Sequence, residues 1–143
     1  MSDVIGRSIL QLEKLFFEDV QYKRSLGEER KSINYEMNFN REISGSPDGI
    51  HFKVSLVANV WSKEDQEIQL RIALTGLFIC DCENEALKQE LVRYNTVAIM
   101  FPYLRSQISL VSTQPDMPPI TIPPMNIVGL FKEVDQRENQ NQQ

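Results

Sequence analysis

Side chains able to do chemistry are few in this chain of 143 residues. Cys80 and Cys82 flank Asp81 and precede Glu83 in a run that reads as the end of a strand, so both thiols project from one face. A tetrahedral zinc site needs further nitrogen or sulfur ligands, and the chain offers no other cysteine and a single histidine, His51. The pair therefore reads as small buried thiols of a reducing compartment, with no metal. Asp81 and Glu83 have the right types for acid and base, but carboxylates at a strand end are ordinarily solvated. His51 alternates onto the polar side of its strand and reads as a surface histidine. There is no glycine-rich phosphate loop, nucleophile elbow or pair of histidines. An enzyme is the weakest reading, and no cofactor is expected.

The net charge of -5 argues against sequence-independent nucleic-acid binding, which needs Lys and Arg clustered against phosphates, and fits a basic protein partner better. No apolar run approaches the roughly 18 residues that span a bilayer. The N-terminus, with Asp3, Arg7, Glu13 and Lys14, lacks the apolar region of a signal peptide. These features predict a cytoplasmic chain with no stable membrane insertion. Its length predicts one domain over residues 1–135, followed by a disordered polar tail over 136–143.

The elements that would position any site follow from periodicity. Within residues 9–24, Leu12, Phe16, Val20 and Tyr22 share one parity, and Asp19, Gln21 and Lys23 the other, with an irregularity near Phe17 and Glu18. A charged stretch from Leu26 to Ser32 reads as an exposed crossover. Ile33, Tyr35, Met37, Phe39 and Ile43 then alternate with polar residues. The run from Ser44 to Gly49 has the glycines, proline and aspartate of a tight reversal, and a third strand carries Ile50, Phe52, Val54, Leu56, Ala58 and Val60. Trp61 falls on its polar parity, as either an edge aromatic covering the sheet or a binding anchor. After a turn at Ser62 to Asp65, a fourth strand carries Ile68, Leu70, Ile72, Leu74 and Phe78, and its apolar end predicts cover on both faces. Asn84 can cap a helix with Leu87, Leu91 and Val92 on one side, and a second, longer helix runs from about Thr96 to Thr113. Asn126 can cap a last helix with Ile127, Leu130, Phe131 and Val134. Strands followed by helices predict an α+β domain: a four-stranded antiparallel sheet with helices packed on one face.

Two segments stand out. Asn95 to Arg105 is helical yet contains Pro102, which costs about 3 kcal/mol that packing must offset. Pro118 to Asn126 holds paired prolines that keep the chain extended, with Ile120 and Ile122 pointing the same way. Tyr35, Met37 and Phe39, together with Ile120, Ile122, Met125, Leu130 and Phe131, are an apolar surplus. They either line a groove for extended apolar polypeptide or form the core between sheet and helices.

The same segments resemble the SecB family of cytoplasmic export chaperones. The similarity lies in Asn95, Ile99, Phe101-Pro102-Tyr103, Arg105 and Ile108, then Pro118-Pro119, Ile120, Ile122, Pro124, Asn126, Leu130 and Phe131, and it extends over roughly residues 9–135. The resemblance implies a homotetramer, a dimer of dimers with the long helices sandwiched between sheets, which gives Phe101, Pro102, Tyr103 and Arg105 an interface role. It implies that unfolded preproteins are held without ATP in apolar grooves lined by the surplus residues, kept export-competent and passed to the SecA motor. In the family an acidic patch on the outer sheet face receives the motor's basic tail, and Asp19 matches one acidic position. Lys23, Gln69 and Arg71 align with other contact positions, two of them with the opposite sign. Divergent relatives serve antitoxins of toxin-antitoxin systems, and a chaperone dedicated to such a partner is the alternative. A carrier of a small apolar ligand is the rival from another class.

Overall fold

The structure, a computed structural model, describes residues 9–27, 33–64 and 67–141. Strands β1 (Leu10–Arg24), β2 (Tyr35–Gly45), β3 (His51–Ser62) and β4 (Ile68–Cys80) form one antiparallel sheet in the order β1-β4-β3-β2. This is the expected α+β arrangement. Residues 28–32 of the expected crossover, and residue 65 of the expected turn, lie outside the described residues.

The central strands alternate as their sequence dictates. Val54, Leu56, Ala58 and Val60 of β3 and Ile68, Leu70, Ile72, Leu74 and Phe78 of β4 are buried on one face, which the helices cover. Position 76 shares that face by parity, and glycine suits it because a Cβ there would sit 2.6 Å from the Phe78 ring and 3.1 Å from Met100 Sδ. At the far end of β4, Leu77 and Ile79 point to the other face and stay half-buried, so no second layer covers them within the described chain.

β1 corrects the expected parity. Its register against β4 shifts between Leu12 and Lys14 and again between Phe17 and Asp19. Each bulge inserts one residue, Glu13 and then Glu18, and reverses which side chains face inward. Leu10, Leu12, Leu15, Phe17, Val20 and Tyr22 consequently share the helix side, while Phe16, opposite Thr75, faces outward.

Residues 85–111 form one continuous helical run, where the sequence predicts two helices. It comprises α1 (Glu85–Glu90), a π-helical turn (Leu91–Asn95) and α2 (Thr96–Val111). The Asn84 side chain caps it by accepting from the Leu87 amide at 3.1 Å. The π turn places an extra residue in the path, and Thr96 Oγ1 donates to the Val92 carbonyl at 2.7 Å. That turn re-aims the apolar stripe: α1 buries nothing and Leu87 is exposed, whereas Val92, Val97, Met100, Leu104 and Ile108 are buried against the sheet. α2 passes through Pro102 unbroken, because Pro102 and Ala98, whose carbonyl loses its donor, are both on the exposed side.

α3 (Ile127–Asn141) is capped by Asn126, whose Oδ1 accepts from the Gly129 amide at 2.9 Å. It extends well past Asp135, correcting the disordered tail expected from residue 136. Residues 136–141 are helical and exposed, with an Arg137–Glu133 ion pair at 3.5 Å one turn apart, while 142–143 lie outside the described residues.

Candidate functional site

The apolar surplus divides into buried and half-buried residues. Phe39, on the helix side of β2 opposite Ala58, meets Phe101 edge-on with ring centroids 5.6 Å apart. Both rings are buried. Ile120 and Ile122 are 5% and 1% exposed, so they are core residues of the protomer. Their backbone is fastened to α2: Ser109 Oγ donates to the Ile120 carbonyl at 3.0 Å, the Ile120 amide donates to Ser112 Oγ at 2.7 Å, and Arg105 Nε donates to the Ile122 carbonyl at 3.1 Å. Arg105 thus has a job inside the protomer, fixing the extended connector that no strand partner holds. Phe131 is 2% exposed. Tyr35, Met37, Met125 and Leu130 are half-buried and packed against the core, so they are the members of the set that retain surface. The structure decides between groove and core residue by residue, because only some of these side chains keep atoms in contact with water.

A second apolar surface remains exposed. On α2, Ile99, Pro102, Tyr103 and Leu110 face away from the sheet, with Tyr103 at 53% and Leu110 at 67%. On the edge strand β1, Leu12 and Val20 are exposed on the same side as the helices, beside Ile9. A long edge strand with apolar side chains is a template for another chain.

A charged cluster holds α3 against β2 and the π turn. Arg41, on the helix side of β2 between Phe39 and Ile43, places Nη2 2.5 Å from Asp135 Oδ1 and donates through Nη1 to the Arg93 carbonyl at 2.9 Å. Tyr94 donates its hydroxyl to Asp135 Oδ2 at 2.7 Å, and the Arg41 guanidinium lies 4.9 Å from the centroid of the Phe131 ring. Both ion-pair side chains are below one-tenth exposed, at 9% and 8%. Sequence reasoning missed this cluster, although two signals were present. Arg41 interrupts the apolar parity of β2, and Asp135 continues the spacing of Ile127 and Phe131 along α3.

Burial by itself would raise the Asp135 carboxyl, but the hydrogen bonds from Tyr94 and Arg41 and the charges of Arg41 and Arg93 outweigh it and hold it below the usual carboxylate range. Burial, with the carboxylate it faces, pushes the Tyr94 hydroxyl up. A carboxyl depressed in the folded state stabilises above its unfolded value and loses that contribution as pH falls through the folded one. The melting temperature is expected to fall as pH drops below about 4, and Asp135→Asn should flatten that acid limb. Equal acid slopes for the two proteins would show that Asp135 does not carry the effect.

The outer sheet face carries polar side chains alongside Phe16, Leu77 and Ile79. Asp19 is engaged there by Arg71 Nη1 at 2.5 Å and by Gln21 Nε2 at 2.7 Å. His51 is exposed and lies 2.5 Å from Asp48 Oδ2, within the hairpin turn. The Ser46 hydroxyl and the Ile50 amide, above all, hold the Asp48 carboxyl far below the usual range. Cys80 is buried, which raises its thiol pKa. Among the described residues no three His, Cys, Asp or Glu side chains gather as metal ligands, and no helix is long and apolar enough to cross a membrane.

The family model described as preprotein translocase subunit SecB matches residues 9–138, which takes in the sheet, α2, the connector and most of α3. The chain belongs to the SecB family. It is 27% identical over 136 residues to the protein-export protein SecB of Aromatoleum aromaticum, covering 89% of this chain and 84% of that one. With SecB of Acinetobacter baumannii the identity is 27% over 134 residues, covering 90% and 87%. An uncharacterised protein of Methanocaldococcus jannaschii is 24% identical over 118 residues, covering 80% and 76%. The fold also matches a SecB-like chaperone of Mycobacterium tuberculosis, solved in complex with a peptide from an antitoxin. That match has a TM-score of 0.69 at 14% identity, covering 87% of this chain and 95% of the other. SecB-family membership makes the chain a chaperone.

Proposed function

We propose that this chain is an ATP-independent holding chaperone that binds non-native polypeptides, preproteins among them, through apolar surface and performs no chemistry on them. The observation that carries this reading is the match of the SecB family model over residues 9–138. Tyr35, Met37, Met125 and Leu130 are the contact residues of choice, since they are half-buried and can gain burial when an extended segment lies across them. Each client segment contributes little, at about 25 cal/mol per Å² of apolar surface removed from water, so several sites on one assembly are needed to hold a chain. Ile99, Tyr103 and Leu110 of α2, with Leu12 and Val20 at the β1 edge, are the surface for that assembly, a cytoplasmic homotetramer built as a dimer of dimers.

Clients would leave by hand-over to SecA. A second reading, a chaperone dedicated to one partner such as an antitoxin, is favoured by the state of Asp19. Its carboxylate is already occupied by Arg71 and Gln21, which weakens it as a receptor for a basic tail. Direct titration with SecA separates the two.

The experiment is light scattering from a chemically unfolded protein diluted without ATP into increasing amounts of this chain. Suppression is expected to saturate near about one tetramer per client. Met37→Ser combined with Tyr35→Ser should weaken it about tenfold while leaving the assembly mass unchanged. No suppression by the wild-type chain at severalfold excess would remove general holding.

A further inference from the structure

On the outer face of the sheet, away from the apolar surfaces, two cross-strand rows border a concavity of about 350 Å³. Lys23, Gln69 and Trp61 stand opposite one another across β1, β4 and β3, and Gln21, Arg71 and Asn59 form the next row. Directly opposed residues lie about 5 Å apart, so the six side chains rim one depression. Trp61 is half-buried there, an indole among the polar side chains of Lys23, Gln69, Arg71 and Asn59.

The charges around this depression are unevenly matched. Asp19 binds Arg71 through one guanidinium nitrogen at 2.5 Å, and Glu36, which extends the first row on β2, has Lys63 at 4.0 Å. Lys23 has no carboxylate within ion-pair distance among the described residues, so its charge is left over. The amides add hydrogen-bonding capacity. Asn59 spends its nitrogen on Asn38 at 3.0 Å and keeps its oxygen as an acceptor, and Gln21 does the same with Asp19 at 2.7 Å. An uncompensated ammonium, a guanidinium with donors to spare, amide acceptors and an indole surface suit a carboxylate-bearing peptide with an apolar neighbour.

We propose that this depression around Trp61 is a docking site for an acidic segment of a partner protein. Charge complementarity singles out the occupant. The chain as a whole carries -5, so an acidic segment is repelled over most of the surface and attracted where Lys23 and Arg71 face it. A basic segment meets the opposite arrangement. The site is independent of the holding surface, which lies on the helix side of the sheet.

Trp61 is the chain's one tryptophan, so its emission reports on the depression directly. The experiment titrates the full chain with a peptide of about eight residues alternating glutamate and leucine, with its lysine counterpart, and with inorganic phosphate. The glutamate peptide is expected to shift Trp61 emission saturably. Its affinity should fall about tenfold in Lys23→Glu and fall again as salt rises, while Lys53→Glu, at the other end of the same face, binds as the wild type does. Lys23→Glu should still suppress aggregation in the scattering assay, which separates this site from client holding. No emission change with the glutamate peptide, an equal response to the lysine peptide, or an equal response to phosphate, meaning simple anion binding, would each overturn the proposal.

Discussion

Asp135→Ala is expected to cost about 3 to 5 kcal/mol of folding stability, because the Asp135 and Arg41 side chains are the ion pair most withdrawn from water among the described residues. The cost is not the lost attraction alone. Removing the carboxylate leaves the Arg41 guanidinium buried beside Phe131 with the Arg93 carbonyl as its one hydrogen-bond acceptor among the described residues. It also strands the Tyr94 hydroxyl, which donates to Asp135 at 2.7 Å. Replacing both charges with apolar residues, as in Arg41→Met with Asp135→Leu, should recover most of the loss, because a buried ion pair contributes little beyond what apolar packing supplies. Denaturant unfolding at fixed protomer concentration measures both variants. A cost below about 1 kcal/mol for Asp135→Ala would show that the cluster is wetter than its burial indicates.

Ile122→Ser is the second. Read from sequence, this residue lines a client groove or belongs to the core, and on the groove reading the change should weaken holding while leaving the assembly intact. In the structure Ile122 is 1% exposed and its carbonyl accepts from Arg105 at 3.1 Å, which favours the core reading. Loss of its buried methyl groups, the cavity left behind and a hydroxyl with no assigned partner should together cost about 3 to 4 kcal/mol. The denaturation midpoint is expected to fall with the slope unchanged, and holding to fail only as the protein unfolds. Lost holding at wild-type stability would return Ile122 to the surface.

Most of the fold was legible in the sequence because its signals are local. The two-residue period of β2, β3 and β4, the reversal at Ser44 to Gly49 and the caps Asn84 and Asn126 each depend on backbone geometry within a few residues. In β1 the irregularity near Phe17 and Glu18 is legible in the sequence and coincides with the second bulge, whereas the first, at Glu13, shows only against the partner strand that fails to match it. The continuous run from Glu85 to Val111 was divided in two because its π turn breaks the helical period without breaking the helix. α3 was cut short because its last residues bury nothing, yet backbone hydrogen bonds and a polar ion pair along one side still propagate the helix.

By itself, then, the sequence determined the strands, the helices and the apolar residues available for contact, and its resemblance to the SecB family was later matched over residues 9–138. Only the tertiary structure decided which of those apolar residues remain in water. Ile122, Phe39 and Phe131 are consumed by the protomer's own core, while Met37, Met125 and Leu130 keep part of their surface. It also brought Arg41 to Asp135 across 94 residues of chain and set Arg71 against Asp19 on the opposite face. Burial and charge pairing depend on which segments meet in space, and side chains far apart along the chain carry no periodicity that records their meeting.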